Sequence, residues 1–346
     1  MTTTKNNEHK NIKVPNLRFK EFHGEWEKCR LGDVCTILSG GTPKIDVKEY
    51  WNGTIPFVSA ISMHDTYILD SKLHISEEGL KHGSRLLTKN NLLLLVRGSM
   101  LWNTIPICLN KNDVAFNQDV KGIIANDTIN NEFLLYWLKS KEQRLKYMVT
   151  GTGLGAGKLD TSDLLSMIVY IPAMKEQDKV ARLLSLFDER IATQSKIIED
   201  LKKLKVAIIE KMFCSPNQEQ PMCRIKGFKQ PLTTYKLGSF CSRIVTKNKD
   251  AKCSLVLTIA AQYGLVNQES FFNKSVASEN LTGYYLLQKG EFAYNRSYSM
   301  GYDWGAVKRL DNYDKGVLST LYICFKINET IVDSDYLAYY FESSKW

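Results

Sequence analysis

Apolar positions along this chain fall into two regimes. From about residue 17 to 170 they come in short runs broken by turn chemistry: Ile55-Pro-Phe-Val-Ser59, Asn91 to Val96, Ile105 to Leu109 and Ile168 to Ile171. Runs of that length between Gly, Pro and Asn clusters predict strands. Gly40-Gly41-Thr42-Pro43, Asn52-Gly53 and Arg97-Gly98-Ser99 then read as loops or turns. Asn131 to Met148 predicts a helix, with Phe133, Leu134, Trp137, Leu138 and Leu145 on its apolar side. Short strands with an inserted helix give an α+β domain rather than a regular βαβ alternation.

Residues 174–213 form the second regime. No Gly or Pro interrupts them, and charges are interleaved with a sustained apolar repeat. Val180, Phe187, Leu201 and Ile208 share one seven-residue register, with Gln194 as its polar member. Leu183, Leu184, Ile191, Ile197, Ile198, Leu204 and Met212 fill the neighbouring stripe. This predicts one amphipathic helix, roughly 60 Å long at 1.5 Å per residue, with a coiled-coil-like seam. A stripe of that length needs a partner surface. Ser215-Pro216-Asn217 ends the helix, and Gln218 to Pro221 reads as a linker.

After the helix the chain begins to repeat itself. Pro15, Arg18, Lys20, Phe22, Leu31, Gly32 and Cys35 recur 206 residues later as Pro221, Arg224, Lys226, Phe228, Leu237, Gly238 and Cys241. Leu86-Leu87-x-Lys89 through Ser99-Met100 matches Leu286-Leu287-x-Lys289 through Ser299-Met300, and Phe133 to Trp137 echoes Tyr336 to Tyr340. A repeat of about 200 residues exceeds solenoid periods, so each copy is expected to be a whole domain. The organisation read this way is an arm over 1–16, a first domain over 17–171, the long helix over 172–214, a linker over 215–229 and a second domain over 230–346. Two similar domains imply two similar objects to be gripped.

Composition narrows the class. The chain has 346 residues, 44% hydrophobic and 11% aromatic, enough for packed cores. A formal charge of +9 favours a polyanionic partner only mildly. The longest aliphatic run, Leu92 to Val96, is far short of a membrane span, and the polar start shows no secretory signal, so a cytoplasmic protein is expected. The eight cysteines form no CxxC pair and all five histidines precede residue 83, which argues against a zinc site and for reduced, packing cysteines.

Catalytic patterns are missing. Thr150-Gly-Thr-Gly-Leu-Gly-Ala-Gly-Lys158 fails as a phosphate loop, because Thr152 stands where the first glycine belongs and Leu159 where the metal-binding hydroxyl belongs. It reads as a flexible glycine loop, one able to lie near a DNA backbone. No HExxH, kinase or GxSxG motif is present, and no carboxylate pair has acid–base spacing. A binding vocabulary remains. Arg97-Gly-Ser-Met-Leu-Trp-Asn103 gathers a cation, a hydroxyl, an aromatic and an amide, and Tyr294 to Trp304 has the same character in the second copy. Arg and Asn read guanine and adenine edges bidentately; packing at the edge of a core is the competing reading of the aromatics.

Leu31-Gly-Asp-Val34, Ser39-Gly-Gly-Thr-Pro43 and Tyr50-Trp-Asn-Gly-Thr-Ile-Pro-Phe57 resemble the opening of a target-recognition domain from the specificity (S) subunits of type I restriction–modification systems, a bacterial defence. Ile171-Pro-Ala-x-x-Glu-Gln177, leading into Val180-Ala-Arg-Leu-Leu184, resembles that family's spacer helix. The resemblance covers nearly everything from Val14 to Trp346. It implies tandem target-recognition domains, each reading half of a bipartite double-stranded DNA site, and two antiparallel helices that space them and dock methyltransferase (M) subunits. Adenine methylation with S-adenosylmethionine, and cleavage by a restriction (R) subunit using ATP and Mg, are implied on partner subunits, with no cofactor or metal in this chain.

Carried onto this sequence, Met174–Phe213 is the first spacer helix, Leu17–Ile171 the first recognition domain and Gln230–Trp346 the second. The candidate DNA contacts are Lys44, Trp51, Asn52, Arg97, Ser99, Trp102, Asn103 and Lys158, then Arg296, Tyr298, Tyr302 and Trp304. Val180, Leu184, Phe187, Ile191, Ile198, Leu201, Leu204 and Ile208 are the candidate helix-pairing residues. Two departures stand out. Val245-Thr-Lys-Asn-Lys249 replaces the Ser-Gly-Gly-Thr-Pro loop, and a second long helix would begin near residue 377, beyond Trp346. A subunit shortened within its second domain is therefore expected, with pairing of two chains through their long helices as one way to cover the seam. Alternatives are a truncated or inactive scaffold that docks M subunits and a self-contained DNA-modifying enzyme, the latter requiring motifs not found.

Overall fold

The computed structural model describes residues 14–346 apart from 154, 216–217, 231, 250–251, 275–276, 279, 298–301 and 303. It divides within the long helix into two compact units, up to Thr193 and from Gln194. Helices and strands are mixed without βαβ regularity, which is an α+β fold.

In the first unit the Leu-rich run forms the strand Leu92–Leu95, which lies between Val120–Ala125 and Ile107–Asn110 in a five-stranded sheet. Cys35–Ser39 and Tyr67–Ile68 complete the order 35–39, 120–125, 92–95, 107–110, 67–68, antiparallel except for the last pair. All four leucines are wholly buried, as a run without alternation requires of a strand covered on both faces. A second sheet runs Leu73–Ile75, Ile55–Val58, Val114–Phe116, Leu86–Leu87. Asn110, wholly buried, joins the two. Its Nδ2 donates to the carbonyls of Leu87, Thr88 and Asn112, and its Oδ1 accepts from the Asn91 N–H at 2.8 Å. The desolvation cost of burying this amide is offset by the bonds it makes.

The helix expected over 131–148 is two helices, Asn131–Ser140 and Glu142–Met148. Lys141 leaves helical geometry (φ −98°, ψ 8°), and its N–H turns back to the Leu138 carbonyl. Apolar spacing continues across the break, so periodicity alone does not reveal it. The long helix runs from Met174 to Met212.

Its start is bolted to the first unit. The strand Glu27–Arg30 pairs antiparallel with Ile168–Ile171, and two residues later the helix buries Glu176 and Gln177, 2% and 1% exposed. Arg18 grips Glu176 through two N–H···O bonds of 2.7 Å, and the Trp26 indole N–H adds a third at 3.3 Å. Gln177 accepts from the Asn130 N–H and donates to the carbonyls of Thr128 and Pro172.

The second unit repeats the strand order of the first. Cys241–Arg243, Ile323–Ile327, Phe292–Asn295 and Ala306–Arg309 stand in the places of 35–39, 120–125, 92–95 and 107–110, again all antiparallel. Tyr285–Gln288 pairs with Lys315–Leu318 as Leu86–Leu87 pairs with Val114–Phe116. A parallel bridge from Val256 to Val317 matches the parallel pairing of Ile55–Val58 with Val114–Phe116. Ser334–Tyr340, capped by Asp333, follows the sheet as Asn131–Ser140, capped by Asn130, does. The sequence repeat is therefore a repeat of topology. An Arg clasp recurs with it: Arg18 donates to the Gly24 carbonyl and Arg224 to that of Gln230.

Candidate nucleic-acid interface

The glycine run is not a free loop. Thr150–Gly151 and Gly157–Lys158 form a small hairpin, and Gly157–Lys158 also pairs with Arg97–Gly98, a segment expected to be a turn. In that register Lys158 lies opposite Arg97. Cross-strand partners share a face of the sheet, so two cations 61 residues apart in sequence stand side by side, both exposed. Glycine is needed here for two reasons. A Cβ on Gly157 would come within 2.7 Å of Val149 Cγ1, and Gly98 (φ 143°) and Gly155 (φ 80°) adopt backbone angles that side chains disfavour.

The Arg97 strand leads into a single 3-10 turn, Ser99–Trp102. Leu101 is wholly buried beneath it, which turns Trp102 outward, half exposed. The Trp102 indole N–H donates to the Gly155 carbonyl at 3.0 Å, tying the turn to the hairpin tip. Arg97, Ser99, Trp102, Asn103 and Lys158 thus lie on one braced, exposed surface. Among the described residues the side chains of Arg97, Ser99 and Asn103 make no hydrogen bond, which leaves their donors free for a ligand. Lys158 has Asp160 at 3.5 Å, and the Ser162 hydroxyl and N–H, with Lys158 beyond them, hold that carboxyl below its usual range.

A second group is joined to the first by the backbone. The Gly41 N–H donates to the Phe116 carbonyl at 3.0 Å, and a Cβ on Gly40 would sit 2.2 Å from the same oxygen, so the Gly-Gly pair permits a close crossing. Thr42 donates its hydroxyl to Gln118 at 2.7 Å, Val96 its N–H to the Asp119 carbonyl, and Leu159 its N–H to Val96. These bonds stitch the 40–43 loop, the 116–119 turn, Arg97 and Lys158 into one continuous edge. Lys44 and Asn52 are exposed on this loop system. Trp51 is half-buried beside them: its indole N–H is spent on the Lys44 carbonyl at 3.1 Å and its ring meets Phe57 edge-on at 5.2 Å, so it braces the loop. Gln118, which joins the two groups, carried no signal in the sequence.

In the second unit the candidate stretch joins Phe292–Asn295 to Ala306–Arg309, the position occupied by 96–106 in the first. Arg296 and Trp304 are exposed, Trp304 by 80%. Tyr302 is half-buried, with its hydroxyl accepting from Lys308 Nζ at 3.2 Å and its ring 4.9 Å from that ammonium. Gly305 (φ 85°) closes the turn where a Cβ would lie 2.1 Å from the Asn295 carbonyl. Tyr298 lies outside the described residues.

The pairing residues of the long helix separate by position. Val180 packs against the core of the first unit and Leu184 is half-buried. Phe187 and Ile191 are exposed by 58% and 64%, and Ile198, Leu201, Leu204 and Ile208 are exposed as well. Within the second unit Phe213 meets Tyr336 and Tyr340 edge-on at 5.0 and 5.6 Å, which fixes the last turns. Seven-residue spacing alone cannot tell Val180 from Phe187, because both lie on the same stripe.

The family model for the type I restriction modification DNA specificity domain matches residues 23–203. The EcoR124I/EcoR124II specificity subunit of Escherichia coli is 31% identical over 174 residues, 50% of this chain and 43% of that protein. The MjaVIII specificity subunit of Methanocaldococcus jannaschii is 32% identical over 200 residues, 56% of this chain and 44% of that one. The matches thus span less than half the length of these relatives. Among solved structures, the type I restriction–modification S subunit from M. genitalium superposes with a TM-score of 0.52 at 16% identity, covering 93% of this chain and 77% of that one, a likeness of fold.

Proposed function

This chain belongs to the type I restriction modification DNA specificity family, and on that premise we propose that it is a non-catalytic DNA-reading subunit whose first unit recognises one half of a bipartite duplex site. The observation that carries the reading is the hairpin-braced surface where Arg97, Ser99 and Asn103, whose donors are free among the described residues, converge with Trp102 and Lys158. Two cations side by side on an exposed edge suit a phosphate backbone, and Arg97 and Asn103 suit base edges in the major groove. Lys44 and Asn52 extend the same edge toward neighbouring phosphates, while Arg296 and Trp304 give the second unit its own reading loop. Preorganisation by the Trp102–Gly155 bond lowers the ordering cost of binding.

The chemistry is assigned to partners: a methyltransferase subunit carrying S-adenosylmethionine, and a restriction subunit carrying ATP and Mg, in the cytoplasm. The exposed face of Phe187, Ile191, Ile198, Leu201, Leu204 and Ile208 is the surface proposed to pair with a second long helix, as a second copy of this chain would supply. Methylome sequencing of cells that carry this chain with its methyltransferase subunit tests the function directly. A bipartite methylated motif supports it; methylation that does not depend on this chain refutes it. A chain that docks the methyltransferase yet confers no sequence preference in mobility-shift assays would instead be the scaffold, a reading favoured only by the exposed helix face.

A further inference from the structure

The first unit contains a cleft that DNA reading leaves unused. It has a volume of about 830 Å³ and opens between the strand pair Glu27–Arg30/Ile168–Ile171 and the helices spanning Asn131–Met148. Trp26, Trp137 and Tyr170 wall it together with Lys28, Lys141 and Arg144, and no carboxylate lies among the described lining residues. The side chains of Lys28 and Arg144 have no partner among the described residues, and Lys141 lies 5.9 Å from the centre of the Trp137 ring. Three cations without a carboxylate partner among the described residues, set around a concave apolar wall, favour an anion that also brings apolar surface.

The walls identify which anion. A paired duplex keeps its base faces stacked, so three rings in a concavity would meet only sugar and phosphate. Single-stranded bases need free ring faces to stack on, and two of these three rings are already engaged. Trp26 donates to Glu176 and meets Phe133 edge-on at 6.0 Å, while Trp137 carries Lys141. The arm before Val14 carries Lys5, Lys10 and Lys13 against Glu8 alone, the wrong sign for an occupant. We infer that the cleft docks an acidic, apolar-anchored segment of a partner protein, its carboxylates meeting Lys28, Lys141 and Arg144 and an aliphatic side chain lying against Trp26, Trp137 and Tyr170. At offset 206 the second copy has Leu232 and Thr234 in place of Trp26 and Lys28, so this docking belongs to the first unit. It stands or falls independently of the DNA reading.

Fluorescence anisotropy on the full chain provides the test, with a labelled short peptide alternating glutamate with leucine as probe. Wild-type protein binds it saturably. Lys28→Glu combined with Arg144→Glu weakens binding by at least about tenfold. Tyr170→Ala, which keeps every charge, also weakens it, and circular dichroism confirms that both variants are folded. Unchanged affinity in the folded charge variant overturns the proposal, as does equal binding of a polyglutamate peptide, which would reduce the cleft to a nonspecific cationic patch. Displacement of the peptide by duplex DNA, with a matching loss of duplex binding in the charge variant, overturns it in favour of the DNA backbone.

Discussion

Replacing Gln177 by alanine removes a side chain that is 1% exposed and makes three hydrogen bonds. Its Oε1 accepts from the Asn130 N–H at 2.8 Å, and its Nε2 donates to the carbonyls of Thr128 and Pro172 at 3.0 and 2.9 Å. At about 1 kcal/mol net for each bond, the loss comes to about 3 kcal/mol. The Asn130 N–H belongs to the residue that caps the helix Asn131–Ser140, so the damage falls on that helix end and on the first turn of the long helix. Because two units can unfold separately, the informative assay is local hydrogen exchange rather than a single global midpoint. Peptides covering residues 126–135 and 170–181 should exchange on the order of a hundredfold faster, while peptides from the second unit stay unchanged. Gln177→Glu sharpens the argument, since it keeps the acceptor but turns the donor into a carboxylate oxygen facing two carbonyls. Burial and those carbonyls raise the folded pKa of the new carboxyl above its unfolded value. The folded state then binds more protons, so the deficit of this variant shrinks as the pH falls and grows as it rises through the folded pKa. If Gln177→Ala leaves exchange in both first-unit segments within about threefold of wild type, the buried amide is not the clamp described, and the reasoning fails.

Other expectations follow from the same geometry. Arg97→Ala should change the methylated sequence, whereas Lys158→Ala should weaken binding to all sequences and lower the salt slope by about one; the opposite pattern in filter binding would reverse the two roles. Gly157→Val puts a branched side chain where a single Cβ already lies 2.7 Å from Val149, and should loosen the hairpin and abolish sequence preference while circular dichroism stays close to wild type. Phe187→Asp or Leu201→Asp should reduce helix-mediated assembly in analytical ultracentrifugation without loss of fold, because both side chains are exposed by 58% in the chain itself. Burial pushes the thiols of Cys35 to about 11 and of Cys108 and Cys324 to about 12, all above the usual value of 9.0. A raised folded pKa means stability that is intact below pH 9 and lost as the pH climbs toward those values, and alkylation followed by mass spectrometry should label exposed Cys223 well before any of the three.

Several elements follow from local pattern alone. The unbroken Leu run is a strand buried on both faces, and the uninterrupted stretch from Met174 to Met212 is one helix. The offset of 200 residues correctly placed Leu92–Leu95 on Phe292–Asn295, which hold the same position in the two sheets. Each of these signals is carried by neighbours within a few residues, or by identity between two windows. The stop at Lys141 escaped, because the apolar spacing continues through it and only the φ and ψ of one residue mark the break. Trp51 is held by the Phe57 ring and the Lys44 carbonyl, contacts that no spacing rule encodes.

The candidate surface shows the same division. Sequence alone determined its ingredients: a cation, a hydroxyl, an aromatic and an amide over 97–103, and a glycine run ending in Lys158. Only the tertiary structure decided that these two segments are strands of one small sheet, with Lys158 opposite Arg97 and Trp102 fastened to Gly155. The helix makes the point again, since one register holds both Val180, packed on the first unit, and Phe187, open to solvent. The reason is physical. Side-chain periodicity reports which face of an element is apolar, but strand register and the partner of that face are set by contacts between residues far apart in sequence, where burial and hydrogen-bond satisfaction of the whole core choose among alternatives that look alike locally.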